Sequence, residues 1–166
     1  MEILMEPELT VTFPPELEQA LARMAERLAH REPLMRDISE RMYKAVMDNF
    51  DQEGRPVKWL PVAREGKILQ DSGRLASSID TWSDNDRAIV GTNVIYARIQ
   101  NQGGKTKPHE IRPKYKKALY FNGRYAAKVN HPGSDIPARP FLMLTDEDMQ
   151  DVAQTINDWL AGDAEG

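Results

Sequence analysis

Residues 69–104 read LQDSGRLASSIDTWSDNDRAIVGTNVIYARIQNQGG, and the fold turns on this stretch. Ser72-Gly73 marks a turn into a short helical segment over 74–78. Two apolar runs, 79–83 and 87–92, flank the polar turn Ser83-Asp84-Asn85-Asp86 and predict antiparallel strands. Gly91-Thr92-Asn93 reads as another reversal, followed by a short helix over 94–101 that stops at Gly103-Gly104. Almost every distinctive residue here bends a backbone or fills a core. None belongs to a recognisable catalytic cluster, which points to a protein that holds a shape and docks to others.

Toward the amino terminus, Leu9, Val11 and Phe13 alternate with Thr10 and Thr12, the period of a half-buried strand, so a strand is expected within residues 1–13. Pro14-Pro15 ends it and presets a helix start. Leu17, Leu21, Met24 and Leu28, then Met35, Ile38, Met42, Ala45 and Val46, recur at helical spacing. They predict a helical pair over 15–50, broken near Pro33. Residues 51–78 read as an ordered loop leading into the short helix. Gly54, Pro56, Pro61 and Gly66 exclude a long regular element, yet Trp59-Leu60 and Ile68-Leu69 are too apolar to leave in water.

Toward the carboxyl terminus, residues 79–130 form a β region interrupted by the helix at 94–101. His109 opens a candidate strand stopped by Pro113, and Asn122-Gly123 between two mixed apolar runs predicts a hairpin over about 116–129. Residues 131–162 comprise an extended, proline-pinned connection and a final helix. Thr145 and Asp148 make a capping box there, Met149, Val152, Ala153, Ile156, Trp159 and Leu160 make its apolar face, and Gly162 ends it. The expected fold is α+β: a single domain over 1–166, with an antiparallel β-sheet and its hairpin packed by N-terminal helices and a C-terminal helix.

The 166 residues are 29% charged and 40% hydrophobic, as in ordinary globular chains. No apolar run approaches the ~18 residues of a membrane span, and the acid-interrupted start MEILMEPELTVTF is not expected to act as a signal peptide. The absence of cysteine removes disulfides and thiolate chemistry. The net charge of −4 conceals an asymmetry. Residues 105–128 carry Lys105, Lys107, Arg112, Lys114, Lys116, Lys117, Arg124 and Lys128 against Glu110 alone, a net of +7. Residues 145–166 carry Asp146, Glu147, Asp148, Asp151, Asp158, Asp163 and Glu165 and no base, a net of −7. These are either two solvated faces or surfaces that meet partners.

Catalytic patterns fail one by one. Gly104-Lys105-Thr106 resembles the end of a phosphate-binding loop, but Ile99 stands where its first glycine belongs and Pro108 blocks the helix that should follow. His30, His109 and His131 lack metal-ligand spacing, and no serine sits in a nucleophile elbow. Neither an enzyme nor a cofactor is expected. The basic segment interleaves its lysines with Tyr115, Tyr120, Phe121 and Tyr125. Such a surface can bind phosphates and stack bases. The simpler expectation is an amphipathic hairpin whose aromatic rings enter the core and whose lysines are solvated.

Several pieces taken in order resemble the phage virion morphogenesis (tail completion) family of Mu-like and related contractile-tailed phages. They are Trp59, Ile68-Leu69-Gln70-Asp71-Ser72-Gly73-Arg74-Leu75, Ser78-Ile79, Val90-Gly91-Thr92, Tyr96-Ala97, Gln102-Gly103-Gly104, and the closing Ile136-Pro137-Ala138-Arg139-Pro140-Phe141-Leu142 with Thr145-Asp146-Glu147-Asp148. The likeness covers roughly residues 35–160. The basic hairpin is also similar to segments of head–tail connector proteins from other tailed phages. The resemblance implies a structural subunit of an oligomeric ring, a hexamer or similar, at the head–tail junction or tail terminus. Its place would be the virion, and the host bacterial cytoplasm during assembly. Partners would be further copies, other phage head–tail junction or tail proteins, and possible DNA in the ring lumen, with no membrane. It also implies that Gly73, Gly91, Gly103 and Gly104 shape reversals while Trp59, Tyr96 and Phe141 anchor the core. On this reading the basic patch meets either DNA or the acids Asp146, Glu147, Asp148, Asp151 and Asp158 of a neighbour. The alternative is a free-standing nucleic-acid-binding protein using residues 112–128.

Overall fold

A computed structural model describes residues 11–121 and 123–162. Helix α1 (Pro15–Ala29) and helix α2 (Glu32–Asp51) form the expected pair, each opening on a proline in its first turn. After an ordered loop come the single-turn helix α3 (Arg74–Ser77), strands β1 (Ile79–Ser83) and β2 (Ala88–Thr92), and helix α4 (Ala97–Gln102). Six short strands follow: β3 (Gly104–Lys105), β4 (His109–Ile111), β5 (Leu119–Phe121), β6 (Arg124–Ala126), β7 (Val129–His131) and β8 (Asp135–Ile136). Helix α5 (Asp146–Ala161) closes the described chain. The fold is α+β. All strand pairs are antiparallel, and they form four two-stranded ribbons. Residues 11–14 carry no strand, and the remainder of the strand expected within 1–13 lies outside the described residues.

The core is built where α2 crosses the β1–β2 hairpin. Val46 and Phe50 of α2 pack with Trp59, Ile68, Leu75, Ile79, Val94, Ala97 and Phe141. Phe50 meets the Trp59 ring edge-on at 6.0 Å and the Phe141 ring at 5.1 Å, geometries that favour aromatic pairs beyond their area burial. A second cluster joins Leu34 and Ile38 of α2 to Trp159 of α5, with Val152, Ile156 and Leu160 beside them. Met149 and Ala153, read above as part of this apolar face, are exposed. The buried stripe of α5 therefore runs Val152–Thr155–Ile156–Trp159–Leu160, the i, i+3, i+4, i+7 spacing of a single face.

A buried polar hub ties these layers together. Asn49, fully buried, donates to the carbonyls of Phe141 and Met143 at 2.9 Å each and accepts from Arg55 Nε. Arg55 also reaches the Ala45 carbonyl and Asp148 Oδ2, the latter at 2.8 Å. Asp148 completes the expected capping box with Thr145. Burial alone would raise the Asp148 carboxyl pKa, but the Thr145 N–H and hydroxyl and the Arg55 guanidinium together hold it below its ordinary value. From the other side, Asn101 Oδ1 accepts from the N–H groups of Phe141 and Leu142. The closing segment is clamped between two asparagines.

Gly54 and Gly103 are positions that no other residue fills. At Gly54 φ is +111 and a Cβ would lie 2.6 Å from the Val57 carbonyl oxygen; at Gly103 φ is +72 and a Cβ would lie 2.7 Å from the Ala138 nitrogen. Gly91 does not reverse the chain: it sits inside β2, paired with Asp80, and the chain turns only after Thr92. Tyr96 is not a core anchor either, being exposed, whereas Trp59 and Phe141 are buried.

Candidate interaction surfaces

The basic segment folds as one outstretched arm. Gly104 pairs with Ile136, Lys105 with Asp135, His109 with His131 and Ile111 with Val129, so β3–β8 and β4–β7 continue a single register. Between them Thr106 donates its N–H to the Ser134 carbonyl at 2.9 Å and accepts from the Ser134 N–H at its hydroxyl. Pro108 and Pro132, lacking the donor a ladder needs, break this hairpin into separate short strands. Beyond Ile111, residues 112–118 oppose only 127–128, and the tip hairpin β5–β6 resumes with Tyr120 opposite Tyr125. At about 3.4 Å per residue the ladder from 104 to 111 alone reaches roughly 25 Å.

No described side chain between 104 and 136 is buried. The arm's strands touch each other far more than they touch any core element. The expectation that its aromatic rings enter the core is overturned for the tyrosines: Tyr115, Tyr120 and Tyr125 are 87%, 69% and 79% exposed. A hairpin can bury one face only where another layer covers it, and among the described residues no such layer lies on this one. The Tyr120 and Tyr125 rings lie 5.1 Å apart across the tip, and Lys114 Nζ sits 5.2 Å from the Tyr115 ring centroid.

The arm's cations fall into two groups. Lys128 and Arg112 both bind the Glu110 carboxylate, the Lys128 contact at 2.7 Å, and these hydrogen bonds lower the pKa of Glu110. Lys105 lies 3.8 Å from Asp135. Among the described residues Lys107, Lys114, Lys116, Lys117 and Arg124 make no ion pair. These five surround the exposed tyrosines in sequence and form the arm's available positive surface.

The acids of α5 also divide. Asp146, Glu147 and Asp151 are exposed, and Asp158 accepts from Gln154 at 2.6 Å. Asp148 does not belong with them, because its carboxylate is turned inward to Arg55 and Thr145. Glu147 and Asp151 line a cleft of about 250 Å³ that also includes Arg41 and Lys44 of α2. Among the described residues no ion pair joins the arm to α5. The two charged surfaces remain free to meet other molecules.

Sequence reasoning missed two surfaces altogether. No residue of α1 is buried, and its stripe Leu17, Leu21, Met24 and Leu28 is 38 to 47% exposed. The second is a cleft of about 310 Å³ lined by Val62, Leu75, Tyr96 and Arg139 among others. The described residues hold no cluster of His, Asp or Glu suited to a metal ion, and no helix among them is long and apolar enough to cross a membrane.

The described residues thus form an α+β core closed by Asn49 and Asn101, with an unburied cationic arm beside it. The chain belongs to the phage virion morphogenesis family, whose profile matches residues 15–161. It is 38% identical over 152 residues to Mu-like prophage FluMu G protein 2 of Haemophilus influenzae, an alignment covering 92% of this chain and 94% of that relative. No solved structure matches the chain.

Proposed function

We propose that this protein is a tail completion or head–tail connector subunit, a non-enzymatic part of an oligomeric ring in a tailed phage or prophage virion. The observation that carries the reading is the arm: a conspicuous basic and aromatic extension that contributes nothing to its own core. Maintaining three exposed tyrosines and five unpaired cations on a projecting ribbon serves contact rather than folding. In a cyclic ring one face of a subunit meets a different face of the next. The arm of one copy would reach the exposed Asp146, Glu147 and Asp151 of its neighbour, steering assembly through complementary charge.

Size-exclusion light scattering over a salt series tests this reading. A multiple of the 18.9 kDa chain mass is expected at low salt, shifting toward smaller species as salt rises. A monomer at every salt and protein concentration would overturn it. A second reading has the arm facing DNA in the ring lumen, or acting alone as a nucleic-acid binder. It is favoured by the exposure of the tyrosines beside unpaired lysines, a combination suited to phosphates and unstacked bases. Salt-sensitive DNA retention that is lost with Lys114→Glu, Lys116→Glu and Lys117→Glu would support it.

A further inference from the structure

Arg139 is buried without the partner a buried cation needs. Only 7% of it is exposed, and among the described residues no carboxylate lies within ion-pairing distance of it. Its Nε and Nη2 both donate to the Leu60 carbonyl, at 3.4 and 3.3 Å. These bonds are long for N–H···O contacts, and a charge taken out of water on so little compensation is costly. The two nitrogens make one edge of the planar guanidinium. The adjoining edge, formed by Nη1 and the second N–H of Nη2, finds no acceptor among the described residues. Among described side chains that are not exposed, Trp59 Nε1 is the one nitrogen or oxygen both sealed from solvent and unpartnered. Nη1 of Arg139 therefore keeps an opening, and the cleft of about 310 Å³ that Arg139 lines supplies it.

The backbone holds this guanidinium in place. The Arg139 N–H donates to the Gln100 carbonyl at 2.9 Å, Pro137 and Pro140 restrict φ on either side, and Asn101 Oδ1 clamps Phe141 and Leu142 just beyond. Gly103, with no room for a Cβ beside Ala138, presses the end of α4 against the same segment. A charged group on so constrained a segment is preorganised, and little ordering remains to oppose binding. The cleft also offers uncommitted polar groups. Among the described residues the Gln100 amide and the Tyr96 hydroxyl make no hydrogen bond, and the Ser72 hydroxyl only accepts, from the Arg74 N–H at 3.4 Å. Arg64 adds a second positive charge. Asp71, the one acid on the lining, has a side chain 85% exposed and lies 3.8 Å from Arg64 rather than on Arg139.

We infer that this cleft binds a carboxylate, seated two-pronged on the free edge of Arg139, with the Gln100 amide and the Ser72 hydroxyl as further donors. That edge presents two parallel N–H groups, and their spacing matches the two oxygens of one carboxylate. The charge on the lining points the same way. Arg139 and Arg64 against Asp71 leave one net positive charge, which a carboxylate balances and a phosphate monoester exceeds. A nucleic-acid backbone, with its row of charges, is matched still less well. The carboxylate comes either from an acidic side chain of a protein partner or from a free small carboxylic acid. Both present the same group, the cleft has the size of a small-ligand site, and Val62 and Leu75 on its lining suit the methylenes of either.

Titrating the isotope-labelled whole chain with sodium acetate, at an ionic strength fixed with sodium chloride, tests the site by NMR. The Arg139 Nε–H and Gln100 side-chain amide signals should move and saturate, with a dissociation constant on the order of 1–10 mM. Signals of the exposed arm at residues 114–117 should drift without saturating. Arg139→Lys keeps the charge but loses the fork, and should weaken acetate binding about tenfold. Gln100→Ala and Ser72→Ala, both outside the buried core, should each weaken it about threefold, and they carry the test if circular dichroism finds Arg139→Lys unfolded. Doubly blocked glutamate and succinate separate the two sources. Tighter binding of the blocked glutamate supports a partner's side chain, and tighter binding of succinate supports a free acid. Inorganic phosphate that binds more tightly than every carboxylate would overturn the carboxylate assignment. Wild type with no saturable shift at Arg139 and Gln100, or acetate binding unchanged in every folded variant, would overturn the site and leave Arg139 as a tie to Leu60.

Discussion

In the β1–β2 hairpin, Ile79 is buried beneath α2 and Val90 packs beside it, while Asp80 and Trp82 face outward. In the arm from 104 to 136, strands of the same type and direction bury none of their described side chains. Both are antiparallel ribbons of comparable local sequence character. One is held by a layer of helix across its face, the other by its own ladder and a few ion pairs. The contrast separates residues selected by the core from residues left free to contact other molecules, and it can be tested one side at a time.

The largest effect is expected on the core side. Phe141→Ala removes a fully buried ring from between the asparagine clamps and should cost about 3–5 kcal/mol in urea unfolding. Arg55→Met should come next, on the order of 3 kcal/mol, because it strands the Asp148 carboxylate beside Thr145. The same pair sets an acid limb. A carboxyl whose folded pKa is depressed stabilises the fold above its unfolded value, near 3.8, and that contribution is lost as pH falls through the folded value. Wild-type stability should therefore decline below about pH 4, and Arg55→Met should flatten that decline. On the arm, Tyr120→Ser with Tyr125→Ser should change monomer stability by no more than about 0.5 kcal/mol while weakening assembly. A loss of several kcal/mol there would erase the contrast.

Where local pattern and tertiary context agree, the chain was readable in advance. The apolar runs of 79–83 and 87–92, the helical spacing within 15–50 and the Thr145–Asp148 box each carry their own signal, and the structure places elements there. Other features depend on information that no short window holds. The arm's continuous register joins residues 104–111 to 129–136 across two proline breaks, so that only the strand opening at His109 carries a signal of its own and its pairing does not. Asn122-Gly123 shows that Tyr120 and Tyr125 share a hairpin but not that no described layer covers it. The stripe of α1 has the spacing of a buried face, and only the positions of α2 and α5 show that it is left partly exposed. Gly91 lies within β2 and Tyr96 on the surface for the same reason: turn and anchor are tertiary properties. Of the charged candidates, only partner geometry separates Asp148, committed inward, from Asp146, Glu147 and Asp151. Arg139 gave no signal beyond its place in a familiar segment.

The central claim is that the arm serves contact and the core folds without it. Ile111 and Val129 are register partners, so residues 112–128 can be replaced by a two-residue Asn-Gly turn that closes the shortened hairpin. Thermal unfolding of this variant and of wild type, at a salt concentration at which light scattering reports both as monomers, isolates folding from assembly. The account predicts midpoints within a few degrees of each other, with the shortened chain failing to form the wild-type oligomer when salt is lowered. A shortened chain that loses cooperative unfolding, or that assembles as wild type does at low salt, would contradict it.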